Sequence, residues 1–124
     1  MPGSDNRAMT TLYGIPNCDT VKRARHWLAE HGVAHDFHDF KKAGVPADRL
    51  AAWTDAAGWE RVLNRKGTTW RKLEASVQAS VVDAASAQAV MRAEASTIKR
   101  PVVEWDDGRI TVGFDEATFA AASR

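Results

Sequence analysis

Between Thr10 and Phe40 the apolar residues change period twice, and that change limits the chain to a small set of folds. Thr10-Thr11-Leu12-Tyr13 is a short β-type run closed by Gly14 and Pro16. From Asp19 the spacing turns helical, with Val21, Ala24, Trp27 and Leu28 on one face and Lys22, Arg23 and Arg25 elsewhere. His31 falls in the last turn and Gly32 marks the stop. Val33 to Phe40 then alternates imperfectly, with Val33, Phe37 and Phe40 apolar, and predicts a second strand. Strand, helix and strand in about 30 residues make a βαβ unit, which requires parallel strands and a right-handed crossover.

The middle reads as helical. Pro46 suits a helix start, and Leu50, Trp53 and Ala57 form a stripe ending at Gly58. Trp59, Val62 and Leu63 make a short piece before Gly67, and Ser80 with Asp83 suggests a capping box for an alanine-rich helix running to Ala95. Ala84, Ala87, Val90, Met91 and Ala95 are its packing positions. Val102 to Trp105 and Arg109 to Val112 then flank Asp106-Asp107-Gly108, a hairpin signal, and Phe114 to Ser123 is a closing helix with Phe114 and Phe119 inward. The order β-α-β, helical block, β-β-α is that of an α/β, thioredoxin-like fold with a mixed sheet and a helical insertion over about 41–96. A single domain over 10–124 is expected behind a polar, disordered lead-in over 1–9.

Composition narrows the function classes. At 124 residues and 44% hydrophobic, the chain supports one core rather than two full domains. Net charge is +1 and the pI about 8.0, too low for a basic nucleic-acid stripe, although residues 1–72 hold 12 basic against 8 acidic side chains. One cysteine excludes an intramolecular disulfide and four-cysteine zinc sites. No uncharged apolar run nears the roughly 20 residues that span a bilayer, and the start lacks the apolar core of a secretory signal. A cytoplasmic protein is expected.

That cysteine, Cys18, lies in Ile15-Pro16-Asn17-Cys18-Asp19-Thr20-Val21-Lys22, where strand gives way to helix. The unpaired N–H groups of a first helical turn and the helix dipole stabilise a thiolate there, and the thiolate is the nucleophile. Lys22, one turn on, adds positive field, while Asp19 opposes it. Valine at 21 and isoleucine at 15 exclude a Cys-x-x-Cys pair, so a nucleophilic Cys18 needs its resolving thiol from outside, supplied by glutathione or a partner protein.

Three segments together carry a family likeness: Thr11-Leu-Tyr-Gly-Ile-Pro-Asn-Cys-Asp-Thr-Val-Lys22, Leu63-Asn64-Arg65-Lys66-Gly67-Thr68-Thr69-Trp70 and Lys99-Arg100-Pro101-Val102-Val103. They resemble the active-site stretch and two later motifs of the arsenate reductase/Spx/YffB (ArsC-like) family, and Cys-Asp-Thr-x-Lys is nearest the YffB branch. The likeness covers nearly all of residues 10–120. It implies a thioredoxin-like fold with a helical insertion and a catalytic Cys18. It also implies that Arg65 and Arg100 surround a bound oxyanion and lower the cysteine's pKa, and that Pro101 follows a cis peptide. A guanidinium suits such a role because its planar fork offers paired donors and stays charged. This chain departs from the arsenate reductases at Val112-Gly113-Phe114-Asp115, where they carry a third arginine, and at Gly14, polar in those enzymes. Valine at 21 also removes the Cys-x-x-Cys switch typical of Spx regulators.

His26, His31, His35 and His38 fall within thirteen positions. Gly32 interrupts the helix that would align His31 with His35, and His35 and His38 face opposite sides of a strand, so solvated or capping roles are expected rather than a metal site. The five tryptophans are read as packing and Lys41 and Lys42 as a solvated loop pair. The leading expectation is a single-cysteine, glutathione-dependent thiol reductase: Cys18 reacts, Arg65, Arg100 and Lys22 hold the anionic part of the substrate, and Asp19 and Pro101 shape the site. No bound cofactor, metal, direct nucleic acid or membrane is expected; glutathione is the co-substrate, with glutathione or a glutaredoxin-type protein as thiol donor. The alternatives are a glutathione- and glutaredoxin-dependent arsenate reductase, and an Spx-like regulator docking on RNA polymerase without catalysis.

Overall fold

The computed structural model describes residues 9–123, so the lead-in expected over 1–9 lies outside the described residues apart from Met9. The elements run β1 (Thr10–Gly14), α1 (Asp19–Glu30), β2 (His35–Asp39), α2 (Phe40–Ala43), α3 (Ala47–Ala57), α4 (Trp59–Val62) and α5 (Thr68–Arg71). They continue with α6 (Ala75–Ala79), α7 (Ala84–Ala93), a 3-10 turn (Ala95–Thr97), β3 (Val102–Glu104), β4 (Ile110–Val112) and α8 (Glu116–Ala122). Residues 9–39 and 100–123 form one compact unit, and Phe40–Lys99 form a second.

The first unit is built on a mixed sheet of order β2-β1-β3-β4. β1 pairs β2 in parallel, with Leu12 opposite Phe37, and β3 antiparallel, with Leu12 opposite Val103. Residues in register share a face, and this one joins Val21, Ala24, Trp27 and Leu28 of α1 and Phe119 and Ala122 of α8 in a single core. Phe119 is its hub: Trp27, Trp105 and Phe114 meet its ring edge-on at centroid distances of 5.5, 5.1 and 4.8 Å, a geometry that ring quadrupoles favour. The α/β class and thioredoxin-like order read from the sequence are those of the structure.

The ends of α1 follow from its residues. Gly32 takes φ 70°, the Gly32 N–H donates to the Ala29 carbonyl (3.2 Å) and the Val33 N–H to that of Leu28 (2.9 Å). This is a Schellman ending, and it fixes Val33 as a plug on the core rather than the first residue of a strand. β2 therefore starts later than the alternation suggested, and Phe40 opens α2 instead of closing the strand. In the hairpin, Gly108 at φ 94° closes the Asp106-Asp107-Gly108 connection as expected.

In the second unit, α3 packs on α4 and α7, and Leu50, Trp53, Val62, Leu63, Ala87, Val90, Met91 and Ile98 are buried. The capping box sits three residues later than expected. Asp83, not Ser80, caps α7, its carboxylate accepting from the Ser86 N–H at 2.9 Å while the Ser86 hydroxyl accepts from the Asp83 N–H at 3.0 Å. Ser80 instead ends α6. α7 stops at Ala93, and Ala95 enters the 3-10 turn. α5 and α6 bury no residue, which is why no apolar period announced them. Likewise α8 begins only at Glu116, capped by Asp115, so Phe114 belongs to the approach and not to the helix.

Candidate functional site

Cys18 is the N-cap of α1, with an extended backbone (φ −144°, ψ 121°), and its carbonyl accepts the Lys22 N–H at 2.9 Å. What holds the helix start in place is a close approach. A Cβ on Gly14 would lie 2.8 Å from Val21 Cγ2, so the first turn of α1 seats directly on the end of β1. The half-buried Cys18 side chain packs against the edge of the aromatic core.

Burial pushes the Cys18 thiol up, but the Val21 N–H, the hydrogen bond and charge of the Arg100 guanidinium, and the Thr20 N–H outweigh it. The thiol is therefore held below its ordinary value. The Val21 and Thr20 N–H groups act as donors to the sulfur from the first turn of α1, where the helix dipole also favours negative charge. Arg100 comes from the segment leading into β3, half-buried, and the Arg100–Pro101 peptide bond is cis. The buried Pro101 offers its carbonyl to the Gly113 N–H at 2.8 Å, tying this segment to the end of β4.

Cys18 and Arg100 thus meet within the first unit, and Pro101 follows Arg100 in the chain. Lys22 and Asp19 are both exposed in the first turns of α1. Arg65 belongs to the second unit, where it is exposed and sets its guanidinium 5.4 Å from the centre of the Trp59 ring. It lines a cleft of about 400 Å³ with Arg61, Lys66 and Lys99. The Tyr13 hydroxyl, which donates to Glu104 Oε1 at 3.0 Å, was not singled out in the sequence. Only the strand register brings those residues together, 91 positions apart.

Each histidine has a local use. His26 faces Glu30 at 3.3 Å, His31 stacks on Trp27 with centroids 3.8 Å apart, His35 Nδ1 lies 3.2 Å from the Val33 carbonyl, and His38 packs on Tyr13. Among the described residues no three His, Cys, Asp or Glu side chains are grouped to hold a metal, and no helix is long and apolar enough to cross a membrane.

Known proteins share this architecture. The solved structure of the YffB protein superimposes with a TM-score of 0.89 at 49% identity, covering 94% of this chain and all of that one. An uncharacterised protein of Haemophilus influenzae is 40% identical across 92% of this chain and 98% of its own length. The global transcriptional regulator Spx of Streptococcus agalactiae serotype V is 25% identical over 87% of this chain and 78% of its own. The ArsC family profile matches residues 13–122, from the tyrosine of β1 to the last residue of α8, and the chain belongs to that family.

Proposed function

We propose that this protein is a single-cysteine thiol reductase that uses glutathione as co-substrate. The observation that carries the reading is the place of Cys18 at the N-cap of α1, with the Arg100 guanidinium beside its sulfur, in a sequence with no second cysteine. The Cys18 thiolate attacks the glutathione-side sulfur of a mixed disulfide. The new Cys18–glutathione S–S bond forms as the old one breaks, and the other partner leaves as a thiolate that takes a proton from water. A second glutathione thiolate then attacks that adduct, releasing Cys18 as thiolate and oxidised glutathione. Arg100 favours the ionised sulfur at both ends of the cycle. Family resemblance assigns Arg65 to the anionic part of the substrate, and a glutaredoxin-type protein is the alternative donor.

The test is the rate of iodoacetamide alkylation against pH, with oxidised glutathione offered separately and the product weighed. A midpoint well below that of a free thiol (about 8.5) and a single glutathionyl adduct absent from Cys18→Ser support the reading. A free-thiol midpoint with no adduct refutes it.

The family match also raises arsenate reduction, but the residues at the third-arginine position speak against it. Phe114 turns its ring into Phe119 and offers no donor. Asp115 has its carboxyl held below the usual range by the Thr118 hydroxyl and N–H, and stays negative. Arsenite production that needs Cys18 would establish that activity; none is expected. The Spx likeness suggests docking on RNA polymerase without chemistry, and capture of the polymerase by wild type and Cys18→Ser alike would favour it.

A further inference from the structure

The second unit carries a charge excess of one sign. Phe40–Lys99 holds ten basic and six acidic side chains, against seven and ten in the rest of the chain. Part of that excess is gathered in one place: Arg61, Arg65, Lys66 and Lys99 line an open cleft of about 400 Å³, with Glu60 the acidic residue among its walls. Among the described residues no carboxylate forms an ion pair with any of these four cations, whereas Arg109 elsewhere is bound to Asp107 at 2.6 Å. A cleft lined by one sign of charge focuses its field and concentrates ligands of the other sign.

The fold holds these cations together. Leu63 pairs antiparallel with Ile98, both buried, while the Asn64 N–H donates to the Thr97 carbonyl at 2.7 Å and the Lys99 N–H to the Val62 carbonyl at 2.8 Å. Other backbone donors at the cleft are spent as well: the Arg61 N–H goes to the Gly58 carbonyl, that of Leu63 to Trp59, and that of Lys66 to the Asn64 side-chain oxygen at 3.2 Å. Compact phosphates are held by convergent backbone amides, and here those amides are committed. What the cleft offers instead is long, exposed side-chain cations spread along a rim, which suit carboxylates spaced along a chain. A nucleic-acid strand also needs aromatic faces for its bases, and Arg65 already lies against the Trp59 ring.

We propose that this cleft docks an acidic segment of a partner protein, an extended stretch carrying several aspartates and glutamates. Arg61, Lys66 and Lys99 meet its carboxylates, and Glu60 works against them. None of these four residues takes part in the thiol exchange, so docking and chemistry stand or fall separately.

The experiment titrates the full chain into a rhodamine-labelled hexaglutamate peptide and reads fluorescence anisotropy, with hexaglutamine as the neutral control. In about 0.05 M salt hexaglutamate should bind at least about tenfold more tightly than hexaglutamine, and about 0.5 M salt should remove the difference. Arg61→Glu/Lys66→Glu should lose the preference. Arg71→Glu/Lys72→Glu, which changes the net charge equally at exposed positions outside the cleft lining, should keep most of it. Glu60→Gln should tighten hexaglutamate binding about two- to threefold, the scale of one exposed charge contact and a gain that misfolding cannot produce. No preference for hexaglutamate, equal losses in the two double variants, or no tightening in Glu60→Gln overturns the docking site. Displacement of the labelled peptide by tripolyphosphate or decathymidylate at lower concentrations than by unlabelled hexaglutamate assigns the cleft to phosphates and overturns it too.

Discussion

Replacing Gly14 with alanine puts a methyl carbon 2.8 Å from Val21 Cγ2 and 3.6 Å from Cγ1. Carbon atoms rest at about 3.5–4.0 Å, so at least one of the two must give way. Val21 is fully buried, and a β-branched side chain in a helix has little choice of rotamer. Relief must therefore come from moving the first turn of α1. Such overpacking costs about 1–3 kcal/mol, and the alanine recovers about 0.4–1 kcal/mol by restricting the unfolded chain. The net loss is about 1–2 kcal/mol, or a melting temperature lower by roughly 4–8 °C in a domain of this size. Val21→Ala alone removes two buried methyls and should cost about 2 kcal/mol. In the double variant the collision is gone, so it should be little worse than Val21→Ala, giving a coupling energy of about 1–2 kcal/mol. Urea unfolding of the four proteins measures this cycle. A Gly14→Ala protein as stable as wild type, or strictly additive losses, would refute the close approach. Alkylation of Cys18 in Gly14→Ala should also shift to higher pH, because the Val21 amide that stabilises the thiolate moves with the turn.

Three further outcomes follow from the same geometry. Arg100→Ala removes a hydrogen bond and a charge that favour the ionised sulfur, so the alkylation midpoint of Cys18 should rise; an unmoved profile would disconnect the two residues. Because the folded pKa of Cys18 lies below its unfolded value, the thiolate contributes stability that is full above about pH 8.5 and disappears as pH falls through the folded pKa. Wild type should accordingly gain stability over Cys18→Ser as pH rises through that window, and parallel curves would contradict it. Phe119→Ala, emptying the hub that three aromatic rings surround, should cost about 3–5 kcal/mol in urea unfolding.

The sequence was informative where local chemistry and period agreed. The βαβ start, the stop at Gly32, the Asp-Gly hairpin and the N-terminal place of Cys18 each follow from residues within a few positions of one another. It was silent where packing supplies no period, as in α5 and α6, whose residues are all at least partly exposed. It misled by three residues at the α7 cap, because Ser80 and Asp83 mimic the pattern that Asp83 and Ser86 satisfy. Nothing local in the sequence marks Arg100 as part of the site, since only the antiparallel return of β3 beside β1 carries it to a residue 82 positions earlier. The Gly14–Val21 contact and the Arg23–Phe114 pair are likewise products of tertiary proximity, which spacing along a chain does not encode.

The sheet ends on one side in β2, a five-residue strand reading His-Asp-Phe-His-Asp and paired along β1 alone. Outer strands invite other chains to extend them, a route to fibrous aggregates. Any newcomer lying along this strand would have to strip water from two aspartates and two imidazoles to gain one phenylalanine, and that phenylalanine is already half committed to its own core. The polar composition of this strand thus weighs against runaway self-assembly along its outer side.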